Sequence, residues 1–236
     1  MSMANERGND WASLATEKFG LVMTPTLLDI IQAVQKPGAM VSAIETIGMG
    51  RNVLYALICA SAYLFNPELK IVIVTNDSKR LDRAKGEIHS LLITMFMRQG
   101  LHHSAITPMV NTCVKGIRQK IEFRTYEEGN EEALAGRYDK HSLYIVDNAA
   151  LVDDKVFQIL SAGMTEEDNR LLLVSEAYRN EGYFYDSHHQ LQDMFHTVRS
   201  NAKESPFVAP AWFDVVAPTF TPEEYRRRVL GEFPEE

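Results

Sequence analysis

Short apolar runs alternate with longer amphipathic stretches along this chain, and the alternation predicts its elements. Met40 to Ile44, Lys70 to Thr75, Ser142 to Val146 and Leu171 to Val174 are too short for helices and lack polar alternation. That pattern is expected of strands buried on both faces. Ile121 to Tyr126 alternates apolar and polar residues and reads as a further strand. Thr24 is placed to cap a helix with Pro25 at its first position, and Leu27, Leu28, Ile30, Ile31 and Val34 supply its apolar stripe. Arg51 and Asn52 open a second helix that Asn66-Pro67 ends, and Ser78 starts a long amphipathic helix running to about Arg98. Asp153 to Met164 is predicted helical, and Gly182 to Met194 reads as a turn into a helix. Glu127 to Ala135 reads as a loop passing into a short helical turn, and Gly100 to Gly116 as an irregular excursion with His102 and His103 exposed.

Strands alternating with helices imply an α/β fold with a mostly parallel central sheet and helices on both faces. Ligands of such sheets bind at the carboxyl ends of the strands. Three strand ends therefore converge: the Glu45 to Asn52 loop, the Asp147-Asn148 corner, and Ser175-Glu176.

Length and charge narrow the picture. With 236 residues, 45% of them hydrophobic, the chain can bury a substantial core. No apolar segment approaches bilayer-spanning length, and the polar start MSMANERGND is neither a signal nor a transit peptide, so a cytoplasmic location is expected. The net charge of -8 argues against a domain that grips nucleic acid by itself. Basic clusters at Lys79 to Lys85, Lys115 to Lys120 and Arg226 to Arg228 read as solvated surface. Cys59 and Cys113 lack the paired spacing of a zinc site and read as buried thiols.

Candidate chemistry centres on Ala39 to Ser61, where a strand, a glycine loop and a helix follow one another. In a phosphate-binding loop the backbone N–H groups curl around an anion, and the helix N-terminus adds its positive end. A Walker A loop further needs Lys for the phosphates and Ser or Thr for Mg²⁺. Gly48 and Gly50 are in place, but Arg51 and Asn52 occupy those two positions, and Glu45 stands where the loop starts. Arginine is bulkier than lysine in a tight cradle. A carboxylate about 5 Å from a phosphate oxygen is repelled by about 3 kcal/mol at an effective dielectric near 20. Glu45 either turns outward or pairs with Arg51 and occupies the loop's own cation.

The order of motifs resembles the ATPase domain of phage terminase large subunits, the motors that package DNA. PTLLDIIQAV is similar to that family's Q-bearing segment, and Leu134-Ala135-Gly136-Arg137 with SLYIVDNAAL resembles the stretch into its Walker B strand. RLLLVSEAYRNEGYFYDSHH resembles its coupling motif, and ESPFVAP with EEYRRRVLGEF resembles the tail leading to its nuclease domain. The resemblance implies an N-terminal extension over 1–23, a terminase-type ATPase-like domain over 24–206 and a helical tail or linker over 207–236. It also implies a P-loop NTPase-like fold, ATP and Mg²⁺ as cofactors, and phosphate contacts from Gly48, Gly50, Arg51 and Asn52, with Asp147 on the metal. No nuclease activity is expected of a chain that stops at Glu236.

The departures fall on chemistry rather than scaffold. Asn148 stands at the water-activating glutamate, Leu27 at the adenine-contacting glutamine, with Gln32 or Gln35 as substitutes, and Ile47 at an arginine near the phosphates. Tyr183, Phe184 and Tyr185 read as core packing, and His188 and His189 point to different faces of a helix. Three readings follow. One is a domain with weakened or lost hydrolysis that binds or assembles in phage packaging. Another is an active motor that uses Glu176 or Glu45 as replacement base. The third is a decoy that docks onto a genuine terminase. Expected partners are phage packaging proteins, another terminase subunit or further copies of itself, with DNA held weakly or only in an assembly.

Overall fold

The computed structural model describes residues 10–66, 68–100, 121–126, 129–134 and 140–235. His102, His103, Cys113, the Lys115 to Lys120 cluster and Ala135 to Arg137 lie outside them. In chain order the main elements are α1 (Trp11–Ser13), α2 (Pro25–Val34), β1 (Met40–Ile44), α3 (Arg51–Phe65), β2 (Lys70–Thr75), α4 (Ser78–Met97) and β3 (Ile121–Thr125). They continue through β4 (Ser142–Asp147), α5 (Asp154–Gly163), β5 (Arg170–Ser175) and β6 (His196–Arg199). The six strands form one sheet in the order β3-β2-β4-β5-β1-β6, with every pairing parallel. The four apolar runs are thus contiguous, and they carry the core on both faces.

Ile71 and Ile73 of β2, with Leu143 and Ile145 of β4, face the layer made by α2, α3 and α4. Val72, Val74, Tyr144 and Val146 face the other way, toward Val156, Phe157 and Leu160 of α5. Two apolar faces per strand are what suppress polar alternation in the sequence. α2 begins as its sequence predicts, with the Thr24 side chain accepting from Leu27 N and Pro25 at the first turn.

The structure adds to the sequence reading at two places and departs from it at a third. Residues 10–19 are tied into the core: Trp11 and Phe19 are fully buried, and Trp11 N donates to Gln35 Oε1 at 3.0 Å. β6 was not anticipated, because of its four residues HTVR only Val198 is buried. The helix expected between Gly182 and Met194 shrinks to Tyr183–Ser187, so His188 sits at its C-terminal cap rather than on a helical face. There His188 Nε2 lies 2.9 Å from Ser42 Oγ of β1, while Tyr183 stacks on Phe157 and Phe184 is buried. Cys59 is buried, as expected.

Candidate functional site

β1 leaves the sheet beside β5, where Glu45 N donates to Ser175 O at 2.7 Å. The loop then turns through Gly48 (φ 79) and Gly50 (φ 87), both in the left-handed region that a side chain disfavours. Gly50 caps α3, so Arg51 and Asn52 open that helix at its positive end. The outer side of the loop is covered by the C-terminal segment. Ser205 Oγ donates to Gly48 O at 2.7 Å, Ile47 N donates to Arg228 O at 2.9 Å, and a Cβ added at Gly48 would meet Val208 Cγ2 at 2.4 Å. A shallow cleft with room for no more than about one water remains, lined by Thr24, Pro25, Thr46, Gly48, Met49 and Ser200.

The strand ends do converge, as the topology rule predicts, and the charged groups at or after the ends of β1, β2 and β4 engage one another. Arg51 Nη1 lies 2.9 Å from Glu45 Oε2, and its Nε lies 3.3 Å from Asp147 Oδ1. The second contact is within ion-pair distance but lacks hydrogen-bond geometry. Arg80, from the first turn of α4, reaches Asp147 Oδ2 with Nε at 2.7 Å and lies 3.8 Å from Glu45. The fully buried Tyr55 donates its hydroxyl to Asp147 Oδ1 at 3.0 Å. Of the alternatives open to Glu45, pairing with Arg51 is the one adopted.

Electrostatics follow from this crowding. Burial pushes the Glu45 carboxyl up to about 7, with Arg51 opposing the rise and the charge on Asp147 adding to it. Burial also raises Asp147 against the pull of Arg51, and it lifts the Tyr55 phenol well above its ordinary value. Burial works against the Arg51 charge, but Glu45 and Asp147 together hold the guanidinium more firmly protonated than usual. Arg51 thus serves two buried carboxylates, Glu45 and Asp147, at once.

The other anticipated residues take separate positions. Asn52 donates its amide to Glu87 of α4. Glu176 pairs with Arg227 at 3.1 Å and approaches Arg228 at 4.0 Å, so its carboxylate faces the C-terminal arginines. Gln35 holds Trp11 N at the far end of α2 from the loop. Asn148 has φ 63 and is the one non-glycine residue with positive φ among those described. Asparagine tolerates this conformation better than glutamate, so the residue has a backbone reason as well as a chemical consequence.

Two residues were missed, Tyr55 and Arg80. Tyr55 lies one helical turn beyond Arg51 and so shares its face. Arg80 follows the carboxyl end of β2, the neighbour of β4 in the sheet, so the strand-end rule could have found it. In this arrangement the loop's cation is engaged by Glu45, and Asp147 by two guanidiniums and a phenol. Among the described residues no group of three His, Cys, Asp or Glu side chains is gathered to hold a metal ion.

No protein-family model matches the chain. It is 32% identical over 240 residues to the "Probable terminase, large subunit" of Enterobacteria phage P7, covering 95% of this chain and 48% of that protein. The chain therefore spans about half the length of the curated relative it matches. Among solved structures, the ATPase domain of the Thermus phage P74-26 large terminase superposes with a TM-score of 0.67 at 13% identity, covering 93% of this chain and 97% of that one. The HK97 bacteriophage large terminase gives 0.63 at 16% identity, covering 96% and 55%. The large terminase of bacteriophage D6E in complex with ADP gives 0.61 at 9% identity, covering 89% and 54%. At such identities the structures speak for the fold alone, which is P-loop NTPase-like. Over nearly its whole length this chain is similar in sequence to a phage terminase large subunit and in fold to terminase ATPase domains.

Proposed function

We propose that this chain is a terminase-type ATPase-fold domain that acts in phage DNA packaging, or in interference with it, as a binding or assembly component with weakened or lost ATP hydrolysis. The likeness to a terminase large subunit supports the packaging link, and the ADP bound to the D6E protein supports a nucleotide as ligand class. The observation that carries the reading is the closed cluster of Glu45, Arg51, Arg80 and Asp147, in which the groups required for phosphate and metal neutralise one another. Phosphoryl transfer needs its phosphates held, a developing charge offset and a water positioned. Arg51, Asn52 and Asn148 change a residue in each of those roles.

Partners on this reading are packaging proteins, another terminase subunit or further copies of the chain. DNA is held only within an assembly, because a net charge of -8 opposes the phosphate backbone and Arg226 and Arg227 are engaged by Glu232 and Glu176. The test is partial restoration of the loop. Glu45→Ser, Arg51→Lys and Asn52→Thr together should raise affinity for magnesium nucleotide in calorimetry above that of the unaltered chain. A triple variant that binds no better would show that the loop chemistry is not what limits the site.

A further inference from the structure

The cation that answers Asp147 most closely comes from outside the phosphate loop. Arg80 stands in the first turn of α4, where the positive helix end opposes a cation, so its place there calls for a compensating partner. The turn that carries it is fixed at two points. Asp77 caps α4 by accepting from Lys79 N and Arg80 N at 2.9 and 3.1 Å. Asn76 Nδ2 donates to Leu151 O at 2.7 Å, which holds this turn beside the exit of β4. From that position Arg80 Nε meets Asp147 Oδ2 at 2.7 Å, while Tyr55 and Arg51 take Oδ1. The Asp147 side chain is only 2% exposed. A magnesium ion retains several of its waters when bound and demands near-octahedral room. It would have to break a short charge-assisted hydrogen bond in a site with both oxygens engaged.

We propose that Arg80 is the resident cation of this site, standing beside Asp147 where a divalent ion would otherwise sit, so that the loop receives the diphosphate end of a nucleotide without a metal. A guanidinium suits the role because it is always charged and its planar fork can bridge a carboxylate and a phosphate. The Nε edge of Arg80 holds Asp147, and the Nη2 edge is turned toward Glu45 at the start of the loop. At 27% exposure, the side chain is accessible to an incoming anion. The inference rests on reading the loop as a nucleotide-type phosphate loop, as above.

The experiment is calorimetry of ADP binding to the full chain, in EDTA and in excess Mg²⁺. For the unaltered protein the two dissociation constants should agree within about twofold. Arg80→Gln should weaken metal-free binding by about tenfold or more and make it Mg²⁺-dependent. Adding Asp147→Asn to that variant should abolish the Mg²⁺ response. Arg80→Lys, which keeps the charge and guards against a folding defect, should remain indifferent to Mg²⁺. Tightening by about tenfold or more when Mg²⁺ is added to the unaltered chain would overturn the inference. So would an Arg80→Gln variant that ignores Mg²⁺, or an unaltered chain that binds no ADP in EDTA. ATP turnover separates the two readings. Mg²⁺-dependent binding with turnover no higher than in Asp147→Ala sinks the role of Arg80 alone, whereas turnover abolished by Asp147→Ala sinks the proposed function.

Discussion

Replacing Glu45 by Gln isolates what one carboxylate does to the phosphate loop. Its Oε2 sits 2.9 Å from Arg51 Nη1, and its side chain is 19% exposed. A phosphate about 5 Å from a full negative charge is repelled by about 3 kcal/mol at an effective dielectric near 20, roughly a hundredfold in affinity. The proton limits that penalty. With the carboxyl pushed up to about 7 by burial, roughly one molecule in eleven is already neutral at Glu45 at pH 8. Binding can select that fraction, so the net penalty at pH 8 cannot exceed about elevenfold. The sign follows directly: the ligand favours the protonated form, so affinity is retained below pH 7 and lost as pH rises through it. Glu45→Gln should therefore tighten ADP binding about tenfold at pH 8 and less than about twofold at pH 6. Calorimetry in EDTA reads both values, and taking the ratio of variant to parent at each pH cancels the titration of ADP itself. Equal ratios at the two pH values would refute the reasoning. Absence of any gain at pH 8 would show that Glu45 turns away from the ligand.

Other perturbations probe the frame around the loop. Tyr55→Phe deletes the phenol that donates to Asp147, and losing a buried hydrogen bond to a charged group should cost about 1.5–3 kcal/mol, read as a fall of several degrees in Tm; an unchanged Tm would count against it. Burial lowers His188 to about 4, so its contribution to stability is fully present above its unfolded value of about 6.5 and is lost as pH falls toward 4, with about 2 kcal/mol gone by pH 5. Urea titrations at pH 7.5 and 5 should show that loss, and His188→Gln should flatten it. Gly48→Ala meets both a φ of 79 and a Val208 contact at 2.4 Å, so it should destabilise the chain by about 1–2 kcal/mol and quicken proteolysis near residues 205–208.

What the sequence revealed depended on how much each feature was local. The four inner strands were legible because each is a short run whose two apolar faces are both covered, and the helix starting at Pro25 because Thr24 caps it. β6 was hidden because an edge strand with one buried residue has no periodicity to detect. The burial of Trp11 depends on Gln35 and Asn66, which are distant in sequence. The glycine turn between β1 and α3 was legible from Gly48 and Gly50, whose positive φ values are a local requirement. Its state was not, because Arg80 and Asp147 are 67 residues apart and meet only through the adjacency of β2 and β4. Asn148 shows how a residue type can mislead when read for chemistry alone: it looks like a lost base, and its left-handed backbone gives asparagine a second reason to be there.

The most direct measurement is steady-state ATP turnover in Mg²⁺ by the purified chain beside its Asp147→Ala variant. If Glu45, Arg51, Arg80 and Asp147 form a closed cluster that has given up hydrolysis, the two rates will match each other and the protein-free background. A parent rate well above background, abolished by Asp147→Ala, would contradict the account and identify the chain as a working ATPase.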